Sequence, residues 1–385
     1  MTHHNTVLHQ LLTTLPWGRF NQAVELHGAD RGVRRLDSKT HLTALLFHQL
    51  SDTKSLRRLI SAFNSHRRRL HHLGCAAISR STLADANARR PHAVFSDLLK
   101  LLLTRAPQRL GGRAGECVRL IDSTTVRLTR LSANWARFTD GVNGAKAHIV
   151  YDPDADCPIH AVITPENVSD IAPARTLPVQ PGATYVFDLG YYDYGWWAEL
   201  DAADCRIVTR LKVNTPLRDT GERLVEPGGA VLSDRTGLLP ERLARHRRNP
   251  MNKRVREIRV RTDGGTILRL VTNDLTASPA EIAALYKRRW AIELFFRWVK
   301  QALKIRHFLG GSENAVRIQI AVALIAFLLV RVTREACGGV CAPLDFMTMV
   351  KANLMHRVAI RELLGMPEER NPDHEPAQGV LAWTG

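Results

Sequence analysis

The chain is short of acid. Asp and Glu number 37 against 54 Lys and Arg in 385 residues, a formal net charge of +17 with a pI near 10.2. A balance this basic suits nucleic acid or an anionic membrane surface. Long apolar runs are also missing. The longest, Ile320 to Val330, falls short of the ~20 residues a helical span needs, so it reads as a buried helix and no membrane partner is expected. The opening MTHHNTVLHQLLTTLP has neither a charged leader nor a cleavage pattern, which makes the cytoplasm the expected compartment. The six cysteines, Cys75, Cys117, Cys157, Cys205, Cys337 and Cys341, are dispersed, which predicts reduced thiols. Neither Cys337-x3-Cys341 nor the group His66, His71, His72 and Cys75 has the spacing of a common zinc module. There is no Gly-Lys-Ser/Thr phosphate loop and no G-x-S-x-G elbow, so those nucleotide-binding and serine-hydrolase chemistries lack their parts. Finally, no Phe, Tyr or Trp occurs from Val213 to Leu285.

What is present is unevenly placed. Residues 1–110 carry 17 Lys/Arg against 6 Asp/Glu, a basic front end ahead of a more balanced body. That arrangement suits a DNA-binding module joined to a catalytic one, and the length predicts two or three domains. The front end reads as helical, with Leu42, Leu45, Leu46, Gln49 and Leu50 at helical spacing and a second amphipathic piece from Ser55 to Phe63. After HRRRLHH and Gly74, the segment ISRSTLADANARRP predicts a short helix capped by Ser79 or Ser81 and ended near Pro91. It has the form of a recognition helix of the helix-turn-helix type, or of a plain helix in a bundle.

From Cys117 the pattern changes to strands: Val118 to Leu128, Lys146 to Tyr151, Cys157 to Ile163, Tyr185 to Asp188 and Arg206 to Leu211. Short helices are expected at Asn167 to Arg175 and around Trp196, Trp197 and Leu200. Strands mixed with covering helices imply an α/β core. Two further strands, Val255 to Arg261 and Thr266 to Thr272, read as a pair around Gly264-Gly265. Nine Lys/Arg and one Glu fall between Arg242 and Arg261, so Arg245, Arg247 and Arg248 are candidate phosphate contacts, with a solvated charge run as the competing reading. Lys146 and His148 alternate on one strand and share a face, which makes them candidate DNA contacts or simply an exposed strand face.

Two apolar runs of this region close on a carboxylate, Val118 to Asp122 and Tyr185 to Asp188, and both acids are expected at strand ends. An unpaired carboxylate there is costly, and a bound divalent cation removes the cost. The third acid is Glu293, in YKRRWAIELFFRWVKQ. If that segment is one helix, Tyr286, Arg289, Glu293 and Lys300 fall within about 60° of one another, over ~21 Å. Ile292, Phe296, Val299 and Leu303 form the neighbouring, core-facing stripe. Three carboxylates suit Mg2+ or Mn2+. Two such ions can activate an attacking oxygen and stabilise a leaving oxygen at a phosphodiester. Water as nucleophile gives strand cleavage, and a DNA 3′-hydroxyl gives strand joining.

IDSTT at 121–125, VFDLGYYDY at 186–194 and YKRRWAIELFFRWVKQ resemble the DDE transposases of the insertion-sequence-four family, with their Tyr-Arg-Glu-Lys signature. The resemblance spans about Val118 to Gly311. It implies a ribonuclease-H-like mixed sheet with flanking helices (residues 113–212 and 279–312), interrupted by a β-rich basic insertion (213–278). An all-helical DNA-binding domain (1–112), a C-terminal helical region (313–366) and a disordered tail (367–385) complete the expected organisation. It also implies Asp122, Asp188 and Glu293 as catalytic residues and ligands of two Mg2+ or Mn2+ ions, and Tyr286, Arg289 and Lys300 as phosphate contacts. The expected partners are double-stranded DNA (terminal inverted repeats and target DNA) and a second copy of the chain. Relatives stack a flipped base on an aromatic residue of the insertion. This insertion has none, so Trp290 is the candidate replacement. Two alternatives stay open: a nuclease or resolvase that does not join ends, and a non-catalytic DNA-binding protein derived from a transposase.

Overall fold

The structure, a computed structural model, describes residues 5–110, 117–128, 143–225, 228–242, 248–303 and 308–366. Arg245, Arg247 and the expected tail at 367–385 lie outside them. Seven helices open the chain: α1 (Val7–Thr13), α2 (Trp17–Leu26), α3 (Ser38–Leu50), α4 (Leu56–Ser65), α5 (Arg67–Leu70), α6 (Arg80–Arg89) and α7 (Ala93–Arg109). Four of them start where a short polar side chain satisfies an otherwise orphaned amide. Thr6, Asp37, Ser55 and Ser79 each accept from the backbone N–H three residues on. Gly74 sits in the left-handed region at φ 65°, and a Cβ there would meet Lys39 Nζ at 2.8 Å. Glycine is therefore needed at the turn that precedes α6.

The strands form one nine-stranded sheet. They are β1 (Val118–Leu128), β2 (Asn143–Asp152), β3 (Cys157–Pro165), β4 (Thr184–Phe187), β5 (Arg206–Arg210), β6 (Arg218–Arg223), β7 (Val231–Leu238), β8 (Arg254–Arg261) and β9 (Ile267–Thr272). The order across the sheet is β3-β2-β1-β4-β5-β9-β8-β7-β6. The β1–β2 and β2–β3 pairs are antiparallel, while β4 runs parallel to both β1 and β5. Segment 213–278 contributes four strands rather than two. It extends the core sheet through the antiparallel β5–β9 pair instead of standing apart. Short helices α8 (Ile171–Ala174) and α9 (Tyr194–Ala202) join the strands.

Strand alternation divides the apolar residues between two cores. Leu120, Val186 and Val208 face a cluster shared with the helices, whereas Ile121, Phe187 and Ile207 face Trp196, Trp197 and Leu200 of α9. At ~25 cal/mol per Å2, each such large side chain contributes roughly 2–3 kcal/mol of burial.

The chain then returns through α10 (Pro279–Arg288), α11 (Trp290–Ala302), α12 (Glu313–Ala336), α13 (Pro343–Asn353) and α14 (Ile360–Leu363). The apolar run 320–330 is the centre of a 24-residue helix, longer than the run itself suggested. By length and composition α12 could cross a bilayer, but it is buried on all sides within the protein. It packs on α3, α7, α13 and β3. One buried cluster therefore runs from the opening helices through α12 to β1, across the boundaries expected at 112/113 and 312/313. All six cysteines are free.

Candidate active site

Register brings the first two acids together. In the parallel β1–β4 pair Ile121 stands beside Phe187, so Asp122 and Asp188 follow one step further on adjacent strands. They share the face of Leu120 and Val186, which is the face covered by α10 and α11. Asp188 immediately follows β4, as expected. Asp122 does not end its strand. It lies inside β1, which continues to Leu128 in its pairing with β2. What stops at Asp122 is the parallel partnership, so its carboxylate opens onto a crevice.

The third acid arrives on a broken helix. Tyr286 to Lys300 was expected as one helix, but α10 ends at Arg288 and α11 begins at Trp290, with Arg289 between them. The Arg289 amide bonds to Tyr286 O three residues back, a tightened turn in place of the helical ladder. Ile292, Phe296, Val299 and Leu303 are buried as their spacing predicts.

Arg289 is the hub of the crevice. Its Nη2 donates to Glu293 Oε1 at 2.5 Å, and its Nη1 lies 3.5 Å from Asp122 Oδ2. The Tyr286 ring lies beside the guanidinium at 5.6 Å, and the Tyr286 hydroxyl donates to Asp188 Oδ1 at 3.3 Å. Asp188 has a second neighbour, Arg210, which was not among the expected site residues. Arg210 Nη1 is 3.5 Å from the same oxygen. The signal was available, since Val186 pairs with Val208 and Arg210 therefore stands level with Asp188.

Electrostatics separate these groups. Burial, with Glu293 and Asp188 adding to it, pushes the Asp122 carboxyl up to about 6, against the opposing Ser123 amide and Arg289. Burial likewise pushes Tyr286 up to about 12, against Arg289, so at neutral pH it is a hydrogen-bond donor. Lys300 borders an open groove of about 380 Å3 with Ser123, Thr124, Glu293 and Arg297. Trp290 is half exposed at the first turn of α11, with Arg297 over its ring at 5.6 Å.

Two candidate DNA contacts are placed differently from expectation. His148 is buried, with Nε2 on Thr164 Oγ1 at 2.9 Å, so it cannot reach a nucleic acid. Burial lowers its pKa to about 4, against Asp170, and it is neutral. Lys146 is tied to Asp170 at 3.0 Å and to Val168 O at 3.1 Å. The alternation that put both on one face was sound, but that face is covered by residues 164–170. Arg248 is exposed beside its bridge partner Arg242.

Oxygen donors of this kind match a hard divalent cation. Their spacing does not yet do so: among the described residues no three Asp, Glu, His or Cys side chains stand close enough to hold one ion. Arg289 sits between Asp122 and Glu293, where a shared cation was expected.

A crevice of three acids and two guanidinia at the edge of a mixed sheet suits an enzyme that works on phosphodiesters. A family model described as "Transposase DDE domain" matches residues 113–329, more than half of the chain, and a "Domain of unknown function (DUF4372)" matches residues 3–76. The "Putative transposase y4zB" of Sinorhizobium fredii is 40% identical over 296 residues, covering 76% of this chain and 82% of that protein. The "Probable transposase for insertion sequence element IS5377" of Geobacillus stearothermophilus is 31% identical over 255 residues, 65% of this chain and 66% of that one. A chain of the piggyBac transposase synaptic complex with hairpin DNA matches at 10% identity, 86% of this chain and 73% of its own, with a TM-score of 0.46. That likeness is too slight to bear on the fold. The chain belongs to the DDE transposase family, DNA-cleaving and strand-transferring enzymes of insertion sequences.

Proposed function

We propose that Asp122, Asp188 and Glu293 are the catalytic carboxylates of this transposase, set in a ribonuclease-H-like core made of β1–β5 with α10 and α11. The observation that carries the reading is the register that sets Asp122 beside Asp188, with Glu293 linked to Asp122 through a single guanidinium. The element's terminal inverted repeats and the target DNA are the substrates, and two copies of the chain act on paired ends in the cytoplasm.

The donor types of Asp122, Asp188 and Glu293 fit Mg2+ or Mn2+, and closing them on an ion requires both that Arg289 turn away and that the acids draw together. When bound, two such ions would activate the attacking oxygen and stabilise the leaving one. Arg289 is well suited to that exchange, because a guanidinium binds a backbone phosphate in two-pronged fashion as readily as a carboxylate. DNA arriving in the crevice draws Arg289 from Asp122 and Glu293 to a phosphate and leaves the acids free. Tyr286 makes the matching move, from Asp188 to the same strand. Arg210 stays beside Asp188 and limits the repulsion between the acids. Lys300 holds the strand further along the groove, and exposed Arg248 meets a phosphate beyond it. Trp290 is exposed where an unpaired base at the excised end can stack on it. In cleavage a water oxygen bonds to phosphorus and the bridging P–O3′ bond breaks, freeing a 3′-hydroxyl. In joining that hydroxyl attacks a target phosphorus and the target's own P–O3′ bond breaks, so no external energy source is needed.

The test is a duplex carrying the element's end, with one sulfur replacing a non-bridging oxygen at the scissile phosphate. Cleavage lost in Mg2+ and restored in Mn2+, and absent in Asp122→Asn, supports the reading. Equal cleavage of the sulfur and oxygen substrates in Mg2+, with either stereoisomer, overturns it. A precut 3′-hydroxyl end tests joining in the same way.

A further inference from the structure

Three adjacent cations, Lys287, Arg288 and Arg289, straddle the end of α10. At ~100° per residue they leave the helix in different directions. Lys287 is exposed and lies 3.4 Å from Asp263, between β8 and β9. Arg289 enters the catalytic crevice. Arg288, half-buried, goes to neither place and donates to Asp154 Oδ1 at 2.5 Å.

Asp154 belongs to the tight turn between β2 and β3, DPDAD at 152–156. Each acid of this turn is held by a different element. Asp152 Oδ1 accepts from the amides of Asp154 and Ala155 at 2.9 and 3.0 Å, and its Oδ2 accepts from Arg119 of β1 at 2.7 Å. Asp156 takes φ 48°, a left-handed conformation that Asp tolerates better than most residues. Its carboxylate accepts from the Tyr151 hydroxyl and lies 2.8 Å from buried Arg331 of α12. Ala155 is buried between them in sequence. The turn is therefore fixed from both β1 and α12.

From that fixed position it reaches both sides of the break between α10 and α11. Asp154 holds Arg288, the last residue before Arg289. Tyr151, tied to Asp156, packs its ring on Phe295 of α11 at 5.1 Å, and Phe295 packs on Phe327 of α12 at 5.0 Å. Arg289 is the joint itself, and Glu293 lies one turn into α11. Both sides of the Asp154–Arg288 pair are partly exposed, and such pairs contribute little to stability. Place rather than strength distinguishes this one, since a displacement of ~1 Å at a reacting group costs on the order of 10²-fold in rate.

We infer that the β2–β3 turn braces the active site, and that Asp154 and Arg288 are positioning residues for strand cleavage. Their ion pair sets the angle at which α11 leaves α10, and with it where Arg289 and Glu293 meet Asp122. The inference rests on the reading of Asp122, Asp188 and Glu293 as the catalytic acids.

The experiment is single-turnover cleavage of an end duplex by saturating full-length protein, with affinity for the same duplex followed by fluorescence anisotropy. Asp154→Asn should slow cleavage on the order of tenfold and leave the Kd within about twofold of wild type. Arg288→Glu, which sets two acids against each other, should slow it at least as much. Reversing the pair, Asp154→Arg with Arg288→Glu, should bring cleavage back to within about threefold of wild type. Asp263→Asn removes the same charge from the partner of Lys287 on the same helix and should change neither rate nor Kd. Urea midpoints of the wild type, Asp154→Asn and the reversed pair should agree. Unchanged cleavage in Asp154→Asn, or equal slowing by Asp263→Asn, would overturn the proposal. A loss of affinity matching the loss of rate would overturn it by making Arg288 a DNA contact. A lowered urea midpoint that the reversed pair does not restore would reduce the ion pair to general stability. If the brace alone fails, Asp154→Asn cleaves fully while Asp122→Ala stays inactive. If the catalytic reading fails, Asp122→Ala itself cleaves as the wild type does.

Discussion

Two clusters of carboxylate and guanidinium lie on this one sheet, and their proportions are opposite. In the strand extension a single carboxylate, Glu257, is fully buried and meets three arginines. Arg235, directly across the β7–β8 pair, donates at 2.7 and 2.9 Å; Arg269 donates at 2.7 Å and Arg259 at 3.1 Å. Arg269 also binds the carbonyls of Lys212 and Thr215, which fixes the chain just after β5. Burial works to raise the Glu257 pKa, yet the three arginines bring it down to about 2. In the crevice the ratio is reversed, with three acids facing Arg289 and Arg210. There burial and neighbouring acids prevail, and Asp122 stands at about 6. In the first cluster both carboxylate oxygens are met by guanidinium donors, and the surplus positive charge reaches solvent through Arg235 and Arg259. The second lacks positive charge and gains from a cation or from the arrival of a partner that reorganises it. That difference separates a structural ion cluster from a candidate site more sharply than burial does.

The comparison can be broken most severely at the crevice. Asp122→Ala, Asp188→Ala and Glu293→Ala should each abolish cleavage of an end duplex while binding of that duplex persists. Equal loss of binding would reassign these acids to structure. Next in size, Glu257→Ala strands three guanidinia around a buried gap and should cost about 3–5 kcal/mol of stability, read by urea denaturation at neutral pH. Cleavage per folded molecule should be unaltered. A loss below ~1 kcal/mol would mean that the cluster is not structural.

A pH series sharpens the contrast. The folded protein holds the Asp122 proton more tightly than the unfolded chain does. Its favourable contribution is therefore full at low pH and is lost as pH rises through about 6. In metal-free protein Asp122→Asn should remove a decline of order 2 kcal/mol between about pH 4 and pH 6. Glu257, with its depressed value, should keep nearly its full stabilisation across that window and lose it as pH falls from its ordinary range toward about 2. Parallel pH curves for the wild type and Asp122→Asn would contradict the buried, acid-crowded picture. The smallest effect concerns Arg289. If it lies where a cation would bind, Arg289→Gln should tighten Mn2+ binding by DNA-free protein roughly tenfold, or ~1.4 kcal/mol, in the paramagnetic resonance signal of free Mn2+. Unchanged affinity would show that the guanidinium does not compete.

Much of this was legible in the chain. Short apolar or alternating runs marked β1 to β5, β8 and β9, and the spacing of Ile292, Phe296, Val299 and Leu303 marked the buried stripe of α11. Of the two cap candidates Ser79 and Ser81, Ser79 caps α6. The carriers of Asp122, Asp188 and Glu293 were all identified, and the structure gathers them at one crevice. Other features were not visible. The stretch from Tyr286 to Lys300 has unbroken helical periodicity, and nothing local announces that Arg289 interrupts it. The exposed strand β6 has no apolar alternation to detect. His148 looked available because its strand neighbour Lys146 is polar, whereas its burial depends on Thr164 and Asp170, more than fifteen residues away.

The sequence by itself determined the inventory and its order: the basic front end, the strand-borne acids, the charged stripe and the absence of competing chemistries. Those features depend on residue identity and on spacing of a few positions, which short-range sterics and periodicity encode. Only the tertiary structure decided that Arg210 stands level with Asp188, that Arg289 lies between two acids, that segment 213–278 continues the sheet and that α12 joins both halves in one core. Each depends on strand register or on packing between segments far apart in the chain, where the choice among partners is made by the whole fold.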